Sequence, residues 1–366
     1  MVIKYRLQPY LEGANNAVKF LGISKGNEVL LVTTAKIDRD AIEAVAYAVR
    51  GVGAHVSILE VEEPPPNQPF PRVCLEAARG VDYYISMGGR ITHHHFDGFI
   101  LTYDYGVSNV TIVGEHLGTD ASRYPLEVWY ELTRRVKWRI GHADPEGRHL
   151  VHFRIVDGRG SDLHMQVMYP EDIGAYIGPE PLVCGPATEP PRVCSRGGFP
   201  PGSCPWGDLG HSATGDLVTD AVLPFGWLKH PLKFTFRNGF VSDVKGAPEA
   251  EKLKDLWKPY PNANRLREIG LGTNPHTPLD FTKPFGSWTT RRAGTLFFGT
   301  GGDTSVGGTD YSSEYLSTTF ALVLEPTVYA DDEIIIDNGK LTVLDDPELW
   351  ELAKKYGDPA KLLTTI

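Results

Sequence analysis

Residues 28–60 constrain the fold more than any other stretch of this chain. Glu28–Thr34 (EVLLVTT) is a short apolar run rich in β-branched residues, the pattern of a buried strand. Asp40–Arg50 then sets Ile42, Val45, Ala46 and Val49 at helical spacing. Gly51 and Gly53 stop that helix, and His55–Glu60 (HVSILE) returns as a strand. Strand, helix and strand with short links form a βαβ unit, which implies a right-handed crossover and a parallel sheet. Proline-rich Glu62–Pro71 reads as loop. A helix around Arg72–Arg79 and strands at Asp82–Met87 and Val110–Val113 continue the alternation. The pattern predicts a doubly wound α/β domain with a mainly parallel sheet over residues 1–140.

From Leu150 onward the signals change. Leu232–Phe236 and Phe240–Val244 flank Asn238-Gly239, a two-residue hairpin turn, and Glu333–Ile336 and Leu341–Val343 flank Asn338-Gly339 in the same way. Ile177–Leu209 is crowded with Gly and Pro and reads as loop. Residues 141–366 are expected to form a mainly antiparallel α+β domain.

A length of 366 residues suits two domains with their own cores. The net charge of −10, with no basic stripe to offset it, argues against a nucleic-acid or acidic-membrane partner. Arg134, Arg135, Lys137 and Arg139 alternate with Val136 and Trp138 and read as the solvated face of a helix. No stretch is apolar enough to span a bilayer, and no apolar run follows Lys4 and Arg6 to make a secretory signal. Four cysteines do not make a disulfide framework in a chain of this size, so the expected compartment is the reducing cytoplasm.

Arg267–Pro275 (REIGLGTNP) carries a carboxylate followed by two glycines and Asn-Pro, so Glu268 sits where the backbone is tight. Two readings fit: a capping or salt-bridged glutamate, and a carboxylate that binds a metal or acts as a base. His276 follows the Asn-Pro, within a short reach of Glu268. Cys184, Cys194 and Cys204 include no C-x-x-C pair and read as unligated thiols. Gly299–Gly308 has no lysine and no following amphipathic helix, so no nucleotide is expected there. No G-x-S-x-G segment is present to support a serine hydrolase.

The REIGLGTNP segment resembles the signature of the thermophilic aminopeptidase T family of metallopeptidases, in which the glutamate of E-x-G-x-G-x-N-P binds the catalytic metal. Gly197–Gly202 (GGFPPG) and Ser212–Asp220 (SATGDLVTD) resemble that family's F-P-P-G and the strand beyond it. Gly294–Gly308 (GTLFFGTGGDTSVGG) is similar to a sister group on the same fold, the 2,5-dihydroxypyridine 5,6-dioxygenases, which are mononuclear non-haem iron enzymes. The resemblance implies the family's fold, a homo-oligomer and a divalent metal, iron or zinc, held through Glu268. The family's remaining ligand positions fall on Thr290, Phe297, Tyr315 and Ser317 and are not kept as ligands. One carboxylate does not hold a catalytic transition metal alone.

Other residues are candidates for a rebuilt site. His93, His94 and His95, with Asp97, follow a predicted strand end, where α/β proteins place functional loops. An exposed polar loop is the alternative. The resemblance to the dioxygenases places a histidine in this loop. His211 precedes SATGD on the side where the family builds its cleft, and reads either as an acid/base or as a hydrogen-bonded surface histidine. Tyr315 and Asp310 follow the glycine-rich run as substrate contacts, with Tyr315 alternatively filling the vacated metal position. The expected function is an enzyme that opens a ring or cleaves an amide in a small polar aromatic or heteroaromatic molecule, with hydrolysis preferred. The alternatives are a dihydroxypyridine-type dioxygenase, a metallo-aminopeptidase-like hydrolase and a non-catalytic relative.

Overall fold

The computed structural model describes residues 2–63, 70–88, 107–140, 150–168, 182–184, 192–194, 196–207, 211–283, 285–286, 288–301 and 319–366. The first strands are β1 (Glu28–Thr33), β2 (His55–Glu60), β3 (Tyr83–Met87) and β4 (Ser108–Ile112). Then come β5 (Leu150–Val156), β6 (Asp162–Met168), the short β7 (Leu182–Cys184) and β8 (Arg192–Cys194), and β9 (Arg196–Phe199). Next are β10 (Ser203–Gly207), β11 (Thr214–Val222), β12 (Gly226–Arg237), β13 (Phe240–Lys245) and β14 (Leu266–Gly272). The last are β15 (Leu296–Thr300), β16 (Thr319–Val323), β17 (Thr327–Ala330), β18 (Glu333–Asp337) and β19 (Lys340–Leu341).

The chain divides by its contacts into two units, Met1–Leu126 with Gly174–Pro201, and Glu127–Ile173 with Gly202–Ile366. The first unit holds a parallel sheet in the order β2-β1-β3-β4-β9. Leu30, Val32 and Tyr84 pack on one face of that sheet with Cys74 and Ala78 of helix Arg72–Ala78. Val29 and Leu31, which alternate with them, are also buried. Burial on both faces is why β1 is a continuous apolar run instead of an alternating one. Helix Arg39–Gly51 begins where the Asp38 carboxylate accepts the N–H of Asp40, and it buries Ile42, Val45 and Val49 as its spacing predicts. Helix Val2–Leu21 packs along it.

The second unit is a large antiparallel sheet in the order β10-β14-β15-β16-β11-β6-β5-β17-β18-β19, with β12 and β13 extending from β11. Both Asn-Gly hairpins form. Asn238 and Gly239 have φ of 50° and 76°, and Asn338 and Gly339 have 45° and 79°, the left-handed conformation that a two-residue turn requires. The second hairpin is shorter than expected, because β19 ends at Leu341 and Thr342–Asp345 turns as a 3-10 helix. Helix Leu126–Ile140 supplies packing to this second unit. Its Trp129 donates from Nε1 to Thr273 Oγ1 at 3.1 Å, and Arg135 pairs with Asp346 at 2.7 Å. No described helix is long and apolar enough to cross a membrane.

Candidate functional site

Glu268 lies on β14, between β10 and β15, with Gly207 and Gly299 as its register partners. Adjacent residues of a regular strand face opposite ways, yet the Arg267 guanidinium donates to Glu268 Oε1. The register explains it. From Leu266↔Thr300 to Glu268↔Gly299 the ladder advances two residues on β14 and one on β15, a bulge with Arg267 as the extra residue. A bulge re-aims a side chain, and here it turns Arg267 toward its neighbour's carboxylate.

The opposite strand makes room for the pair. A Cβ at Gly299 would stand 2.8 Å from Arg267 Nη2 and 3.0 Å from Glu268 Oε1. The side chains of Arg267 and Glu268 are only 3% and 2% exposed, so the two charges form an ion pair inside the protein. The guanidinium carbon also lies 5.1 Å from the centre of the Phe320 ring, where the ring's negative face attracts a cation.

The two glycines of the motif have packing reasons. A Cβ at Gly270 would meet the Phe297 ring at 2.3 Å, and one at Gly272 would meet the Arg292 carbonyl at 1.8 Å. Asn274 closes the following turn, its side-chain oxygen accepting the N–H of His276 at 2.9 Å. Phe297 packs with Phe285, Phe320, Leu322 and Ala221, and Trp227 lies against this cluster. One ligand position of the resembled family is therefore an aromatic core residue. Thr290, another such position, is buried in the 3-10 turn Thr289–Arg291.

The other site candidates are not gathered around Glu268 by the described contacts. His211 is exposed, with φ of 57°, and its ring stacks on Phe240 at 5.5 Å. Phe240 bridges Arg265, three residues before Glu268, or about 10 Å along a strand. His276 does not turn to Glu268; its Nε2 meets the carbonyl of Lys361 at 3.0 Å. His93, His94, His95, Asp97, Asp310, Tyr311, Glu314, Tyr315 and Ser317 lie outside the described residues. Gly299 and Thr300 are held in the ladder between β14 and β16, and the Gly301 N–H donates to the Arg265 carbonyl at 2.9 Å. These first residues of the glycine-rich run are thus committed to the sheet and are not spare donors for a reacting oxygen. Arg267 is the charged group that the motif reading missed, because nothing in the sequence marks the bulge.

Among the described residues, no group of three or more His, Cys, Asp or Glu side chains could hold a metal ion. A catalytic iron or zinc centre needs about three protein ligands. The described residues at Glu268 supply one carboxylate held by Arg267, which does not fit either ion.

No family model matches the chain, and no curated protein matches it. Solved structures do. The 2,5-dihydroxypyridine dioxygenase from Pseudomonas putida KT2440 superposes with a TM-score of 0.65 at 18% identity, covering 93% of this chain and 98% of that one. Wild-type AmpT from Thermus thermophilus superposes with a TM-score of 0.58 at 14% identity, covering 91% and 99%. These are the two groups whose motifs the sequence resembles, and the chain shares their fold over nearly its whole length.

Proposed function

We propose that this chain is an enzyme that uses water to open a ring or cleave an amide in a small, polar aromatic or heteroaromatic molecule, with Glu268 as the base. The observation that carries the reading is the buried Arg267–Glu268 pair beside the Phe297–Phe320 cluster. It joins an acceptor for a proton, a donor for developing negative charge and flat apolar rings. In the reaction, Glu268 takes a proton from water and the water oxygen bonds to the carbonyl carbon. The C–N bond then breaks, and the proton passes to the leaving nitrogen. Arg267 would donate to the carbonyl oxygen as it gains charge, the kind of stabilisation worth several kcal/mol when the donor is fixed and dry. His211 is exposed and stacks on Phe240, which bridges Arg265 three residues before Glu268, so Glu268 itself is the proton's return route. His93, His94, Asp310 and Tyr315 remain proposed substrate contacts, and His95 a proposed catalytic residue.

A second reading is ring cleavage with dioxygen at a non-haem iron, and the superposition on a dioxygenase over 98% of its chain favours it. That reading requires ligands beyond the described residues and the release of Glu268 from Arg267. The two are separated by screening small heteroaromatic lactams, amides and dihydroxypyridines, with and without oxygen and chelator, beside Glu268→Gln. Hydrolysis predicts turnover without oxygen, unaffected by chelator and lost in Glu268→Gln. Oxygen uptake in step with turnover, abolished by chelator, supports the second reading. Full activity in Glu268→Gln removes the site from both.

A further inference from the structure

The exposed face of the β5–β6 pair carries two histidines with no place in the proposed chemistry. In the β5–β6 register, His152 faces Gln166 and Arg154 faces His164, so His152 and His164 are diagonal neighbours. His152 Nε2 and His164 Nδ1 stand 3.3 Å apart. Two metal–nitrogen bonds of about 2.0–2.1 Å meeting at a tetrahedral angle span about 3.3 Å, so the spacing suits one cation between the rings. The other side of His164 is fixed as well. Its Nε2 lies 3.2 Å from Asp162 Oδ1, and a carboxylate there holds the proton on Nε2 and leaves Nδ1 with its lone pair. A carboxylate behind a histidine is the outer support that metal-binding imidazoles ordinarily have. Asp162 is itself paired with Arg154 at 3.0 Å, so the local charge is balanced and does not repel a cation strongly.

We infer that His152 and His164 form a surface site for a first-row divalent cation, with Asp162 orienting His164 and water completing the coordination. In the metal-free protein, the Nε2–H of His152 donates to Nδ1 of His164. On binding, the cation replaces that hydrogen and the His152 proton moves to its own Nδ1, so neutral histidines release no proton. Imidazole pairs follow the usual order of affinity, copper above nickel and zinc.

The test is equilibrium dialysis of the full chain against Cu²⁺, Ni²⁺ or Zn²⁺, with copper EPR on the same samples. Wild-type protein should bind one more equivalent than His152→Gln or His164→Gln, and the copper signal lost in those variants should carry coupling to two imidazole nitrogens. Asp162→Asn should keep that equivalent with affinity lowered about tenfold or more. Glu268→Gln should keep it unchanged, which separates this site from any metal at Glu268. Equal binding by wild type and either histidine variant would overturn the assignment, as would loss of this equivalent in Glu268→Gln alone.

Discussion

Arg267 and Glu268 are covalent neighbours that a strand would ordinarily separate, and a single bulge turns them into a buried ion pair. Removing one member of such a pair takes an ion-pair partner from a buried charge, at a cost of about 3–5 kcal/mol, whereas exchanging both for apolar residues is often neutral. Arg267→Met should therefore lower unfolding stability in urea by about 3–5 kcal/mol, and Arg267→Met/Glu268→Leu by much less. A single variant as stable as wild type would show that the pair is not buried as described. The first glycine after Glu268 makes a second prediction. Gly270→Ala drives its methyl into the Phe297 ring and should cost about 1–3 kcal/mol, the usual penalty for overpacking. A neutral effect in the same urea titration would mean that Phe297 does not lie over Gly270.

Elements are tied together by a few polar contacts whose strength depends on pH. Tyr10 of helix Val2–Leu21 donates to Asp38, the residue that caps helix Arg39–Gly51, at 2.7 Å. That hydrogen bond pushes the Tyr10 hydroxyl up to about 12, with burial adding to it. The same bond, with the N–H of Asp40, holds the Asp38 carboxyl below its ordinary 3.8. A depressed carboxyl contributes stability above 3.8 that is lost as pH falls, and a raised phenol contributes stability below 10 that is lost as pH rises through about 12. The stability difference between wild type and Tyr10→Phe should then be largest between these limits and shrink at both ends, measured by denaturant titration across pH. A difference that does not vary with pH would contradict the contact. Helix Arg39–Gly51 and the Asn-Gly hairpins are written in local spacing and turn chemistry, and they form where expected, the second hairpin shortened by the 3-10 turn Thr342–Asp345. The bulge at Arg267 depends on the register between β14 and β15, and no local pattern encodes a register shift. For the same reason, proximity in sequence suggests a pair between His276 and Glu268, while the fold turns His276 to Lys361.

For the whole molecule, the alternation of strands and helices before residue 140 and the hairpins after 150 correctly pointed to a parallel sheet with helices and an antiparallel sheet. The path between them is less regular: β9 joins β4 with Arg196 opposite Asn109, and helix Leu126–Ile140 packs with the antiparallel sheet. Such long-range pairings leave no periodic mark in the sequence. The reaction is likewise not written in the fold, since chains with these two sheets include a dioxygenase and AmpT. What distinguishes the proposed chemistries is the source of the oxygen atom that enters the product. Once the screen has found a substrate, turnover in ¹⁸O-labelled water under argon, read by mass spectrometry, tests the claim directly. Water attack assisted by Glu268 predicts one ¹⁸O atom per product molecule and no incorporation by Glu268→Gln. Product formed only under dioxygen, with label arriving from ¹⁸O₂ instead of water, would contradict it.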